Sequence, residues 1–400
     1  MFWNVAKSNG YRSLGSLVFI IMFFYANASL MDYLLLGNEF LHITEQYAYS
    51  LKSLLHVKAL ALNGLFLLAY SIGYRLVFRE SQSNPRLYFE FRIGFLSWIF
   101  AVTTLLALLL YSYLSFGLDR FSTKSLLAHP ALFLGYQFCL FVVALLISET
   151  FQYHKSLWLF SVIVMFVFMI AGFEREPVAI LAFYGFFALQ GKKIGIRSVL
   201  IVFLTLFVAF AYKPFYIFVI QKGDWVGFWI LLEQRSFSFA GLDPGASMFL
   251  LMDYLEYGGY EEYRFSYLTN TIDQFFRALG ISHTLSLGEY ATVYRANRGA
   301  GIGFSVIVES MLNFGYLGPL VTGYSIGVLT KLVQYYFSTA RGILVAYSLI
   351  IMLLMRTELA VILKLNLIPF LPLFFLFYRI KNHKSLMIPS SKSGEIRAIS

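Results

Sequence analysis

Apolar runs of about twenty residues, each bounded by charge, recur along the chain and constrain its fold more than any other feature. A bilayer core of about 30 Å takes roughly 20 helical residues to cross. Within lipid every backbone polar group must be satisfied inside the chain, so the crossing segments are helices. Ten candidate spans follow, at 14–35, 58–77, 93–116, 130–148, 157–173, 177–190, 198–220, 305–330, 342–362 and 365–379. The expected architecture is therefore an all-α polytopic membrane protein of about 10 transmembrane helices (range 10–12). The sixth run, PVAILAFYGFFALQ, is short for a crossing, which leaves little tilt, local thinning of the bilayer, or extension past Glu176.

Composition agrees. Hydrophobic residues make up 59% of the 400 and charged ones 13%, against about 25% charged in a soluble globular chain. Such a chain has too little polar surface for a soluble enzyme domain, a disordered segment or a nucleic-acid binder. The net charge of +10 fits cationic loops facing an anionic cytoplasmic leaflet. Cys139 is the single cysteine, so neither a disulfide nor a cysteine-ligated metal centre forms within one chain.

Lys and Arg set orientation through short loops. With the N-terminus inside, the inner segments hold seventeen basic residues and the short outer ones seven. Both termini are then cytoplasmic, and the first run, which lacks an A-x-A-like cleavage site, is expected to be a retained helix. Four regions result: helices 1–7 over 1–221, a large extracytoplasmic loop over 222–304, helices 8–10 over 305–380, and a polar cytoplasmic tail over 381–400. No internal repeat of the transporter type is visible.

The long loop carries the functional information, since loops of this length are usually functional. It holds Trp225, Trp229, Tyr254, Tyr257, Tyr260, Tyr263, Tyr267, Tyr290 and Tyr294 with nine acidic and six basic residues. Aromatic faces bordered by carboxylates and arginines suit sugar rings, although Trp and Tyr also form the interfacial belt of any membrane protein. VGFWILLEQRSF, which ends near Arg235, is long enough for a re-entrant or interfacial helix. Asp243-Pro244-Gly245 is expected to be a turn, and MFLLMDYLEYGGY an amphipathic helix ending at Gly258 and Gly259.

Ionisable residues at membrane depth are costly, hence candidates for function. GFEREPVAI places Glu174, Arg175 and Glu176 at the outer ends of the fifth and sixth runs; a solvated turn is the plainer account of the same residues. In TVYRANRGAGIGFSVIVESMLNFGYLG, Arg295 and Arg298 precede the glycine-rich approach to the eighth run, and Glu309 follows about one turn inside it. Glycines permit close backbone approach and a helix start offers free N–H groups to anions. Arg356 and Glu358 stand near the outer end of the ninth run; an i,i+2 pair does not face itself on a helix, so each must find another partner. Lys213 is expected to snorkel outward. His283 lies in the loop just before the arginine segment, and no His spacing suits zinc.

The stretch NRGAGIGFSVIVESMLNFGYLGPLVTGYSIGVL resembles the signature of Wzy-type O-antigen polymerases, and GFEREPVAI resembles that family's short Arg-containing segment. The layout is similar too: many helices, one large periplasmic loop before the last spans, and an Arg (Arg356) in the penultimate helix. The resemblance implies a GT-C-like fold related to that of O-antigen ligases, in the bacterial inner membrane. It implies a glycosyltransferase that moves a glycan from polyprenyl pyrophosphate onto the non-reducing end of a new lipid-linked repeat unit. Arg175, Arg235, Arg295, Arg298 and Arg356, with Asn297 and Tyr294, are then the substrate-binding candidates, guanidinium being suited to phosphate. Glu309 is the first choice for the base, with Glu174, Glu176 and His283 in reserve. No cofactor and no metal are expected, arginines standing in for a divalent ion. The implied partners are the lipid-linked oligosaccharide, membrane lipid and a chain-length regulator protein, with no nucleic acid.

Three other readings compete. An O-antigen ligase would share the donor but typically carries a His-Asn motif, whereas this chain has Ala296-Asn297-Arg298. A repeat-unit flippase or other transporter would show repeated halves and charges spread through several helices. A structural subunit of an assembly complex would tolerate loss of Arg175, Arg298 or Glu309.

Overall fold

The computed structural model describes residues 13–42, 48–76, 88–116, 130–151, 154–172, 176–188, 219, 222–234, 244–260, 263–278, 281, 285–291, 304–338 and 340–381. These are mostly helical. Helices α1 (Leu14–Leu36) and α2 (Leu54–Leu76) flank a short antiparallel hairpin of β1 (Phe40–His42) and β2 (Ala48–Ser50). Strand β3 (Tyr88–Phe91) leads into α3 (Phe95–Phe116), α4 (Pro130–Thr150), α5 (Lys155–Gly172) and α6 (Glu176–Ala188). The long loop contains α7 (Trp225–Gln234), α8 (Pro244–Tyr257), α9 (Thr269–Ala278) and α10 (Leu287–Tyr290). Then come α11 (Val306–Phe314), α12 (Gly318–Phe337), α13 (Arg341–Leu354), α14 (Leu359–Ile362), a π-turn (Leu363–Leu367), α15 (Ile368–Phe377) and β4 (Tyr378–Lys381). The β3–β4 ladder is antiparallel, pairing Tyr88 with Lys381 and Phe91 with Tyr378.

Helices α1 and α2 are long and apolar enough to cross a membrane. Shorter apolar helical stretches lie at Phe95–Ala107, Gln137–Thr150, Lys155–Val167, Glu176–Ala188 and Arg341–Leu354. The expected seventh span lies, except for Val219, outside the described residues, as does Lys213. Two short antiparallel ladders, β1–β2 and β3–β4, qualify the all-α expectation; there the backbone groups are satisfied between strands instead of within a helix.

Three expected boundaries move. The eighth run is not one helix: it breaks at Gly315–Leu317 and resumes as α12. Gly315 adopts φ 59° and ψ −149°, a region open in practice only to glycine. A Cβ on Gly318 would lie 2.1 Å from the Ser310 carbonyl oxygen, so the chain folds tightly back on α11. The ninth run ends early, at Leu354, and a helical course starting at Leu359 replaces the expected break at 363–364. Arg356 consequently sits in a turn, not in the penultimate helix. Pro244 and Gly245 open α8 and do not form a separate turn, proline being well suited to the first helical position. Helix α8 ends at Tyr257, and Gly258 (φ 64°), Gly259 (φ 83°) and Tyr260 (φ 65°) follow in left-handed geometry.

The tightest packing is between α2 and α12. A Cβ on Gly323 would meet the Phe66 carbonyl oxygen at 2.3 Å, one on Gly327 that of Tyr70 at 2.3 Å, and one on Gly73 that of Tyr324 at 2.3 Å. Small residues spaced four apart let helix backbones touch, which is how helices associate where lipid removes the hydrophobic drive. Gln334 fastens the end of this pair: its Oε1 accepts from the Tyr74 hydroxyl (2.7 Å) and from the Gly15 amide (3.1 Å) at the start of α1. Elsewhere α13 packs on α4 and α6, and α8 rests on α1 and α2.

Gly323→Ala is expected to destabilise by about 1–3 kcal/mol, the usual range for overpacking. Gly64→Ala on α2, whose Cβ would meet nothing within 4 Å, is expected to be neutral or slightly stabilising by up to about 1 kcal/mol. Thermal unfolding of the purified protein in one detergent, both variants side by side, checks the contrast.

Candidate functional site

The turn Met355–Glu358 between α13 and α14 is where distant segments meet. The carbonyls of Met355 and Arg356 find their partners on other elements. The Ser247 hydroxyl at the start of α8 donates to the Met355 carbonyl oxygen at 2.8 Å. The Phe304 amide donates to the Arg356 carbonyl oxygen at 2.8 Å. The Arg356 guanidinium forms an ion pair with Glu176 at the first turn of α6. Glu358, in extended conformation as the N-cap of α14, accepts instead from the Gly288 amide of α10 at 2.7 Å. Glu309, in the first turn of α11, accepts from the Leu359 amide at 2.8 Å.

Three carboxylates are thus gathered about one turn, and all are shut from solvent: Glu176 is 2%, Glu309 0% and Glu358 1% exposed. Each has one oxygen bonded, while Oε2 of Glu176, Oε1 of Glu309 and Oε1 of Glu358 are buried without a hydrogen-bond partner among the described residues. Among the described residues, Lys364 and Arg277 act electrostatically on Glu358 beside the Arg356–Glu176 pair. The unpartnered carboxylate oxygens therefore suit a ligand that brings hydrogen-bond donors. Among the described residues, no group of three His, Cys, Asp or Glu side chains is arranged to hold a metal.

Of the sequence candidates, Glu176, Glu309 and Arg356 come together here. Glu174, Arg175, Arg235, His283, Tyr294, Arg295, Asn297 and Arg298 lie outside the described residues. Arg356 and Glu358, named together in the sequence as charges at membrane depth, do face different partners, Glu176 and the Gly288 amide, although they lie in a turn and not in a helix.

One further feature escaped sequence reasoning. Arg277 at the end of α9 holds Glu289 with both guanidinium nitrogens, one bond measuring 3.1 Å. Glu289 closes a capping box with Ser286, whose hydroxyl accepts from the Glu289 amide at 3.3 Å. The S-x-x-E spacing of Ser286 and Glu289 was the available sequence signal. Burial pushes the Glu289 carboxyl up, yet Arg277 and Ser286 together outweigh it and hold the group below the usual carboxylate range. The clamp bears on the site because Gly288, inside the boxed turn, is the donor to Glu358.

Tyr290 packs edge-on against Tyr260 (5.4 Å) and Tyr263 (5.2 Å), and Tyr260 against Phe304 (5.6 Å). This loop aromatic cluster is therefore interior, with Tyr260 and Tyr263 buried. Exposed rings lie elsewhere in the loop, on Trp225, Trp229 and Tyr257 and on Phe265, Phe275 and Phe276.

No family model, curated protein or solved structure matches the chain.

A carboxylate whose folded value is depressed stabilises above its unfolded pKa of about 4.3 and loses that contribution as pH falls through the folded value. The amide protection factors at residues 285–291, which take the intrinsic exchange rate at each pH relative to the observed rate, are therefore expected to fall as the pH drops below about 4.3. Glu289→Gln is expected to show the faster exchange at neutral pH and to flatten the acid response.

Proposed function

We propose that the chain is a membrane-embedded glycosyltransferase that polymerises lipid-linked repeat units at the outer face of the bacterial inner membrane. In this reading about ten spans carry the site, both termini are cytoplasmic and segment 222–304 is periplasmic. The resemblance around Gly299–Leu329 motivates it. The observation that carries it is the buried corner, where Glu309 bonds the Leu359 amide and keeps its Oε1 unpartnered among the described residues, while Arg356 of the preceding turn pairs with Glu176.

The chemistry suits these groups. Glu309 takes the proton of the attacking sugar hydroxyl as the new C1–O glycosidic bond forms. The bond from C1 to the pyrophosphate oxygen breaks, and polyprenyl pyrophosphate leaves with the electron pair. Arg356, oriented by Glu176, stabilises the charge that develops on the leaving group, a fixed donor in a dry site being worth far more than in water. Arg175, Arg295 and Arg298 are the further phosphate-binding candidates, and the exposed loop rings Trp225, Trp229 and Tyr257 the platform for the sugars. A ligase would use the same donor chemistry with a different acceptor, so the product separates the two.

Deleting the gene is expected to collapse the surface-polysaccharide ladder to core plus one repeat unit. Glu309→Gln keeps an oxygen for the Leu359 amide but cannot take a proton; it is expected to lower polymerisation by about 10²–10⁴-fold at an unchanged membrane level. A full ladder from Glu309→Gln would refute its role as base, and a ladder unchanged by deletion would refute the polymerase reading. Polymerisation by purified membranes is expected to persist in chelator; complete loss, restored only by Mg²⁺ or Mn²⁺, would overturn the metal-independent route.

A further inference from the structure

Helix α9 is built inside out for water. Its stripe of Asn270, Gln274 and Arg277, spaced one turn apart, faces the protein: Asn270 is 2% and Gln274 1% exposed. Gln274 accepts from Lys364 of the π-turn (3.3 Å), and Arg277 holds Glu289. Both polar side-chain atoms of Asn270 are buried without a partner among the described residues. The opposite stripe is apolar and exposed, with Leu268 at 65%, Ile272 at 44% and Phe276 at 45%, continued by Phe265 in the preceding turn. A water-facing helix turns these stripes the other way.

The apolar stripe continues a larger apolar surface. Tyr267 bonds Thr322 of α12 (3.0 Å) and packs on Phe314 (5.8 Å), while the Phe265 amide reaches the Leu312 carbonyl. Beyond them Tyr316, Leu317 and Val321 are exposed at the start of α12, and Leu65, Leu68 and Ile72 along α2, one of the two helices long enough to cross a membrane. Phe265 is held at φ 59°, a region that bulky residues rarely occupy, so the backbone keeps this ring outward against its own preference.

We infer that the Leu268–Phe276 face of α9 is immersed in the acyl chains of the bilayer, at the depth of the first turns of α12. The segment expected to be an extracytoplasmic loop then contains a membrane-embedded wall, with lipid on one side and, through α14 and the π-turn, the Glu358 corner on the other. The inference rests on the membrane reading above and not on the polymerase reading.

The test uses nitroxide labels in the full chain reconstituted in phosphatidylcholine vesicles, on a Cys139→Ser background that removes the single native thiol. Single cysteines replace Ile272 or Phe276 on α9, and Leu65 on α2 as reference. Power saturation is expected to show stronger relaxation by oxygen than by a water-soluble nickel chelate at 272 and 276, as at 65. Greater nickel than oxygen accessibility at 272 and 276, with 65 still lipid-exposed, would overturn the immersion of α9 and leave the membrane reading standing. Labels at 272 and 276 shielded from both agents would also overturn it, in favour of a protein partner on that face. A nickel-accessible label at 65 would remove the membrane reading itself.

Discussion

The turn at Met355–Glu358 is the constraint on which the rest depends. Where a helix stops among apolar side chains, the freed backbone groups find partners or the structure does not form. Here the partners come from three segments far apart in sequence: Ser247 of α8 and Phe304 just before α11 on the carbonyls, Glu309 of α11 on the Leu359 amide, and Glu176 of α6 on the Arg356 side chain. Each partner is fixed by its own element, so α6, α8, α11 and α13 are located relative to one another by this turn. The same contacts bring three acids together.

Hydropathy made the helical content legible and made the helix breaks illegible. Leu14–Leu36 and Leu54–Leu76 follow the expected runs to within a few residues, because burial in an apolar medium depends on the average over a window. The interruptions at Gly315 and at Met355 leave that average almost unchanged. What fixes them is local: a glycine in a conformation closed to other residues, and a set of hydrogen bonds from remote segments. Glu176, Arg356 and Glu358 are each legible as charges at membrane depth, but the pairing of Arg356 with Glu176, 180 residues away, has no sequence signature. The partner of Glu358 is equally hidden because it is a backbone amide, and any residue but proline supplies one.

The glycines at 73, 323 and 327 had a legible spacing, although their value lies in a contact that sequence does not specify. They place backbone against backbone along α2 and α12, and so create a stiff pair to which α11 is attached through the fold-back at Gly318. Glu309 inherits its position from that attachment. A base must hold its place while its charge changes, and a carboxylate on the first turn of a short helix, itself stapled to a rigid pair, meets that need.

Glu309 and Glu358 look equivalent by burial, since each has one bonded and one unpartnered oxygen. Their anchors differ. Glu309 bonds Leu359, so its contact joins two helices of the bundle. Glu358 bonds Gly288, which stands in the turn boxed by Ser286 and Glu289 and clamped by Arg277; its contact joins the bundle to the long loop. Changing the charge on Glu358 therefore disturbs where the loop sits, whereas changing the charge on Glu309 disturbs one amide inside a rigid frame. The two anchors therefore hold different things: Glu358 ties the long loop to the corner, and Glu309 ties α11 to α14, the fixed placement that its proposed role as base requires.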